Sequence, residues 1–132
     1  MKAIDTNIII RFLINDDEMQ AKKVLDLFKK AENKEEKLFV PLLVIIESIW
    51  VMDSVYAIPR IKIIEALKKL FMLPFLIFEQ PVVLHQLLQI SENDNFDLPD
   101  LLIGLSAQAN GCESVLTFDK KAAKHHLFEM IS

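Results

Sequence analysis

The chain has 132 residues, of which 52% are hydrophobic and 26% are charged, with only two glycines. This is the size of one domain, and the composition supports a sizeable buried core and excludes an intrinsically disordered protein. No apolar run reaches the ~18 residues that a membrane span needs, which excludes a membrane-spanning chain. The N-terminal stretch MKAIDTN has no apolar signal core, so we expect a cytoplasmic protein.

The net charge of −4 argues against a protein that holds nucleic acid by general electrostatic attraction. An acidic balance is compatible with a nuclease whose bound metal supplies the local positive charge. It also suits a protein that meets a basic partner.

Short strand patterns alternate with helical patterns along the whole chain. The predicted strands span residues 2–4, 38–40, 75–78, 114–117 and, at an edge, 127–131. The predicted helices start at residue 8, follow the break at 15–17, span 42–56, start at 58–59 and 81, run from 97 towards Gly111, and end with a short helix at 120–126. Such alternation predicts an α/β fold with parallel strands and helices on both faces. With no internal repeat or boundary, we expect a single domain over residues 1–132.

Candidate acids fall where such sheets bind ligands, at the carboxyl ends of the strands. Asp5 closes the first strand and Asp119 follows the fourth, so both are predicted at the same edge. Asp100 begins a helix after a loop that we expect at that edge. Asp5 has a second interpretation as a helix N-cap, although Thr6 and Asn7 can also cap.

Glu47 lies within an apolar run, residues 42–51. A carboxylate is almost never fully buried unless it is paired or bound to a metal. Glu47 therefore lies either on a narrow exposed stripe, with Ser54, or in a polar pocket, and the burial rule favours the pocket.

Asp97 and Asp100 are three residues apart and can project from one side of a helix start. Each can also stabilise the helix N-terminus. Pro99 at the first helical position would make Leu98 the cap residue, a poor cap, so one acid would serve the helix end and the other would be available. Asp119 alone is best explained as a cap of the last helix.

Together these acids predict a metal site. Crowded carboxylates repel one another unless a cation neutralises them, and oxygen ligands suit Mg²⁺ or Mn²⁺. Such ions activate water and stabilise leaving oxygens in phosphodiester cleavage. No zinc spacing, nucleophilic triad or phosphate-binding glycine loop is present, and we interpret all three histidines as surface residues.

Three blocks of the sequence, which are DTNIIIRFLINDDEMQA, FVPLLVIIESIWVMDSVYAIPR and FDLPDLLIGLSAQANGCESVLTFDKKAAK, resemble the PIN-domain family, and specifically VapC-type toxin ribonucleases. The resemblance spans essentially the whole chain. It implies a three-layer α/β/α sandwich with a central parallel sheet of four to five strands. It also implies endoribonuclease activity dependent on Mg²⁺ or Mn²⁺, a homodimer, and inhibition by a cognate antitoxin protein.

Matched position by position, the resemblance implies a catalytic and metal-binding quartet of Asp5, Glu47, Asp100 and Asp119. It implies supporting roles for Thr6, Asn7, Asp97 and Thr117. The sequence Pro99-Asp100-Leu101 departs from the family, where small residues more often flank the acid.

Two other functions use the same features. A non-enzymatic module of the same fold would bind RNA or a regulatory protein, but a degenerate quartet would be expected there. A phospho-acceptor receiver domain needs an acid beside Asp5 and a lysine at a strand end before its own loop, and Lys120 directly follows Asp119.

Overall fold

The computed structural model describes residues 1–131. Within these residues the strands are β1 (Lys2–Ala3), β2 (Leu38–Val40), β3 (Leu76–Phe78), β4 (Val115–Thr117) and β5 (Phe128–Met130). The helices are α1 (Thr6–Leu13), α2 (Glu18–Asn33), α3 (Leu42–Ser54), α4 (Arg60–Phe71), α5 (Pro81–Ser91) and α6 (Leu98–Ala109), followed by a 3₁₀ turn (Ala122–Lys124). The chain forms two compact units, one over Met1–Glu79 and one from Gln80 onward.

The first unit is built on a parallel sheet in the order β1-β2-β3. Leu38 and Val40 of β2 are buried because this strand lies between the other two. α1 packs against α2 and α3, and α3 packs against α4. Their apolar faces form the core of this unit, which includes Ile9, Ile45, Ile49, Leu67 and Leu70.

Helix α3 begins and ends through contacts with more distant residues. Its N-cap residue, Pro41, makes no side-chain cap, and the Glu79 carboxylate instead accepts the Leu42 N–H at 2.8 Å. The helix stops two residues before its predicted end, where the chain turns through Ala57 with φ +50°. Tyr56 therefore lies in the turn, and its hydroxyl donates to Asp16 Oδ2 at 2.7 Å.

The second unit packs α5 against α6 and pairs β4 with β5 in parallel. Its core includes Leu84, Leu87, Leu101, Leu102 and Leu127. Gly104 of α6 lies so close to β5 that a Cβ atom there would be 2.9 Å from Leu127 Cβ and 3.2 Å from Phe128 Cε2. A side chain at this position would force the two segments apart.

The predicted α/β class with parallel strands is confirmed. The five strands are hydrogen-bonded as a sheet of three and a sheet of two. The strands are one or two residues shorter than predicted, except β2, whose bounds match. The predicted final helix over 120–126 is only the 3₁₀ turn Ala122–Lys124, because the carbonyls there bond three rather than four residues ahead. Among residues 1–131, no helix has the length and apolar character that crossing a membrane requires.

Candidate functional site

A pocket of about 500 Å³ lies in the second unit, where the start of α6 meets the segment after β4. Its lining consists of Asp94, Asn95, Phe96, Asp97, Asp100, Asp119, Lys121, Ala122 and Lys124. Three of the predicted site residues, Asp97, Asp100 and Asp119, therefore come together. They lie on two chain segments about twenty residues apart, so the fold of this unit creates their proximity.

Asp97 is the N-cap of α6, and its Oδ1 accepts the backbone N–H of Asp100 at 2.9 Å. The prediction that Pro99 would make Leu98 the cap was wrong, because Leu98 and Pro99 are the first two helical residues. Asp100 falls in the first turn of α6, where a negative charge is favoured by the helix dipole. The hydrogen bond to Asp97 fixes the turn that carries Asp100.

Asp100 is half-buried, whereas Asp97 and Asp119 are exposed. Burial raises the pKa of the Asp100 carboxyl above its ordinary value of 3.8, and the negative charges of Asp97 and Asp119 raise it further. The three carboxylates therefore interact electrostatically. A cation in the pocket would relieve both effects, because it stabilises the ionised form.

Asp119 is held by a turn of its own. Its Oδ1 accepts the N–H of Lys121 at 2.8 Å and the N–H of Ala122 at 3.3 Å, and its own N–H donates to Thr117 Oγ1 at 2.9 Å. Hydroxyl and carboxylate side chains commonly bond to a backbone N–H two residues ahead in this way. Thr117 and Asp119 thus fix the chain as it leaves β4.

Asp5 is the N-cap of α1 in the first unit, and its Oδ1 accepts the N–H of Ile8 at 3.2 Å. Thr6 and Asn7, which the sequence predicts as cap and turn residues, are instead the first two residues of the helix. Thr6 is buried and Asn7 is exposed. Asp5 therefore caps α1, and neither Thr6 nor Asn7 takes that position.

Glu47 is exposed on α3. Leu43, four residues earlier, is 77% exposed, and Trp50, three residues later, is 56% exposed. Ser54 extends the same stripe. Of the two interpretations of Glu47, the structure favours the exposed stripe over the polar pocket. The apolar pattern was misleading because two of the large apolar neighbours of Glu47 are themselves outside the core.

The pocket offers the oxygen donors that a hard divalent cation prefers. Across residues 1–131, however, no three Asp, Glu, His or Cys side chains are grouped closely enough to hold a metal ion. Mg²⁺ commonly binds through one or two carboxylates and completes its shell with water and phosphate oxygens. A site of that kind needs two neighbouring carboxylates, and in this pocket the charges of Asp100 and Asp119 interact.

Sequence reasoning missed the rest of the pocket lining. Asp94 and Phe96 precede Asp97, and Lys121 and Lys124 follow Asp119, so proximity to the predicted acids was the available indication. His125, predicted at the surface, is only 6% exposed, and its ring lies edge-on to the Phe96 ring with the centroids 4.5 Å apart.

His125 connects the pocket wall to the segment before β5. Its Nδ1 accepts the N–H of Leu127 at 3.2 Å, and its Nε2 is 3.7 Å from Asp94 Oδ2. A nitrogen that accepts a hydrogen bond carries no proton, so this contact favours the neutral ring with its proton on Nε2. His85 and His126 are exposed, as predicted.

The chain is similar to a known family and to a named protein. The family model described as the PIN domain matches residues 2–126. A protein named VapC ribonuclease, from Aquifex aeolicus (strain VF5), is 25% identical over 124 residues, which cover 94% of this chain and 91% of that protein. These matches confirm the resemblance inferred from the three sequence blocks.

Proposed function

Because the chain belongs to the PIN-domain family, we propose that it is a divalent-metal-dependent endoribonuclease and the toxin of a toxin–antitoxin pair. The similarity to a VapC ribonuclease over 94% of the chain supports RNA as the substrate. The observation on which the proposal rests is the pocket itself, where Asp97, Asp100 and Asp119 lie together and Asp100 is half-buried among like charges. A fold maintains such unfavourable crowding where function requires it.

Within the second unit the proposal gives each acid a separate task. Asp100 and Asp119 would hold Mg²⁺ or Mn²⁺, and the ion would supply positive charge that binds phosphate oxygens and lowers the pKa of water. Asp97 positions Asp100 through its backbone hydrogen bond, and Thr117 positions Asp119 in the same way.

The proposal assigns Asp5 and Glu47 to the same reaction as the other half of the acidic quartet, with Thr6 and Asn7 in support. This assignment rests on the sequence blocks that contain them and on a family match that spans both compact units. For the same reason we propose that residues 1–132 work as a single domain. Mutation of Asp5 and Glu47 is the direct test.

The partners follow from the same family. We propose an antitoxin protein that inhibits the nuclease, a homodimer as the assembled toxin, and a cytoplasmic location with the RNA substrate. The exposed apolar residues Leu43 and Trp50 on α3 offer surface for such contacts.

A second candidate is a catalytically inactive module that binds RNA or a regulatory protein. It is favoured by the exposed position of Glu47 on α3, which a solvated surface acid alone explains. It predicts RNA binding without cleavage at any concentration of divalent metal.

The test is a titration of Mg²⁺ and Mn²⁺ into purified wild type and Asp100→Asn protein while cleavage of a mixed RNA pool is followed. We expect metal-dependent cleavage by the wild type and a loss of at least about 100-fold in the variant, because a metal ligand contributes several kcal/mol to the transition state. Calorimetric titration of each metal reports binding separately from activity. Asp26→Asn, which removes an exposed charge from α2, is the matched control.

Full activity in Asp100→Asn would exclude the pocket as the site. A folded wild type that binds RNA but neither binds metal nor cleaves would establish the second candidate instead.

A further inference from the structure

Two lysines line the acidic pocket because of the 3₁₀ turn after β4. Side chains three residues apart eclipse one another in a 3₁₀ helix. Lys121 directly precedes the turn Ala122–Lys124, so Lys121 and Lys124 lie on the same side of it, and both contribute to the pocket lining. Lys120, the preceding lysine in the chain, is exposed and lies outside the lining.

The backbone beneath these lysines is fixed by the site. The Asp119 carboxylate accepts the N–H groups of Lys121 and Ala122, and the Asp119 carbonyl accepts the N–H of Ala123 at 3.0 Å. The same carboxylate that lines the pocket therefore sets the direction in which the lysines leave the chain. Their positions beside Asp119 follow from local geometry.

In the part of the chain that the structure describes, the ammonium groups of Lys121 and Lys124 are not paired with a carboxylate, although four aspartates line the same pocket. Within residues 1–131, Lys121 and Lys124 form no ion pair. Both residues are exposed, so their side chains can reorient towards an incoming anion at little cost. They are the only two cationic side chains in the described lining.

We propose that Lys121 and Lys124 bind the phosphate backbone of RNA where it enters the pocket. A polyanion that approaches Asp94, Asp97, Asp100 and Asp119 meets repulsion, and these two lysines supply the compensating positive charge from within the lining. Contacts with phosphate oxygens add affinity and fix register without reading the base sequence. The inference rests on the proposed ribonuclease function and adds the residues that hold the substrate.

The test measures binding of a fluorescent single-stranded RNA to full-length protein that carries Asp100→Asn, so that the RNA remains intact. Lys121→Gln, Lys124→Gln and the double variant are compared with Lys120→Gln over a range of salt. We expect each pocket substitution to weaken binding severalfold and to reduce the slope of log K against log salt by about 0.7, the value for one lost phosphate contact on a single strand. Two RNAs of different sequence should be affected equally.

Lys120→Gln should leave both the affinity and the salt slope unchanged, and Lys121→Arg with Lys124→Arg should restore binding because it retains the charge. Thermal melts confirm that each variant is folded. Equal weakening by Lys120→Gln, or unchanged binding by the double variant, overturns the proposal. If wild-type protein still cleaves RNA in that case, the ribonuclease function stands and only the lysine assignment fails. If the wild type neither binds nor cleaves RNA, both fail.

Discussion

The two compact units hold their candidate acids in different ways. In the first unit Asp5 caps α1 and Glu47 stands on an exposed stripe of α3, so both are solvated. In the second unit Asp100 is half-buried, and burial and the charges of Asp97 and Asp119 raise its pKa. An exposed or capping acid needs no functional explanation, whereas a crowded and partly buried one disfavours the folded state unless a cation compensates.

Capping and ligand binding are nevertheless compatible. The backbone hydrogen bonds to Asp5, Asp97 and Asp119 all use the Oδ1 atom. A carboxylate has two oxygens and about four acceptor positions, so an acid that caps a helix retains capacity for a metal or a water. The sequence-based choice between a cap and a site residue was therefore too strict. The hydrogen bond fixes the orientation of the carboxylate, which a binding site also requires.

Substitution of Asp5 should give the largest effect. It tests whether an acid that caps a helix in the first unit also takes part in RNA cleavage. Asp5→Asn retains a good N-cap but removes the charge, so we expect RNA cleavage to fall at least about 100-fold with the free energy of unfolding unchanged. Asp5→Ala should lose cleavage equally and also about 1 kcal/mol of stability, because the Ile8 N–H loses its acceptor. Cleavage rates and urea unfolding of both variants separate the two roles. Wild-type cleavage by Asp5→Asn would show that Asp5 is a cap alone.

The next largest effect is expected from Gly104→Ala, which disturbs the packing of α6 against the segment that contains β5. This packing holds in place the helix that carries Asp100. Gly104 lies one helical turn after Asp100, and an added Cβ would be 2.9 Å from Leu127 Cβ. We expect Gly104→Ala to lower the free energy of unfolding by up to about 2 kcal/mol, since overpacking typically costs ~1–3 kcal/mol and the higher helix propensity of alanine offsets about 1 kcal/mol of this. Ile103→Ala, at the adjacent and half-exposed position, is the urea-unfolding control. A stabilised Gly104→Ala would contradict the close packing.

Asp97 and Asp100, three residues apart on one helix, should respond in opposite directions. Asp97→Ala removes the N-cap of α6 and should lower the free energy of unfolding by about 1 kcal/mol. Asp100→Asn should instead give a smaller gain near neutral pH, because Asp100 is half-buried and water screens part of its repulsion. A carboxyl with a raised pKa in the folded state binds its proton more tightly there, so its ionisation destabilises the protein as pH rises above 3.8. The gain in the free energy of unfolding of Asp100→Asn, measured with urea, should therefore shrink as pH falls towards 3.8. A gain that does not depend on pH would show that ionisation of Asp100 is not its cause.

Much of the fold was predictable because its determinants are local. Pro41 and the break at Asn15 to Asp17 mark element ends, and short apolar runs between helical patterns mark parallel strands. The bounds of α3 were less predictable because they depend on distant contacts, with Glu79 capping its start and Tyr56 lying in the turn beyond its end. The need for glycine at position 104 could not be predicted from neighbouring residues, since it arises from the close approach of Leu127 on another segment.

For the site, sequence identified three acids that the second unit brings together, but it did not anticipate their environments. Helical spacing alone could not show that Asp97 caps α6 while Asp100 is half-buried. It also placed Glu47 in a pocket by counting apolar neighbours, although Leu43 and Trp50 are exposed. The burial of His125 was not predicted for the opposite reason. Its neighbours, such as Lys124, are polar or charged, and such neighbours suggest a surface position.

His125 gives the smallest of the expected effects and concerns the wall behind the second unit's acids. Burial lowers its pKa below 6.5, and the charge of His126 lowers it further while Asp94 opposes them. The unfolded chain then binds a proton that the folded chain excludes, so stability should fall as pH drops through 6.5. For one group with an unfolded pKa of 6.5, the loss by about pH 6 is at most ~0.8 kcal/mol. Urea unfolding near pH 7.5 and pH 6 measures it.

The control for this prediction is His85→Gln, which removes an exposed histidine of the same unit and should leave the pH dependence of wild type intact. His125→Gln should flatten that dependence, even though it also lowers stability at both pH values by breaking the bond from Leu127. The quantity to compare is therefore the change in the free energy of unfolding between pH 7.5 and pH 6. A purely structural loss of stability would not alter this change. An unaltered difference in His125→Gln would assign the titration to another group, and would leave His125 as a packing residue beside Phe96.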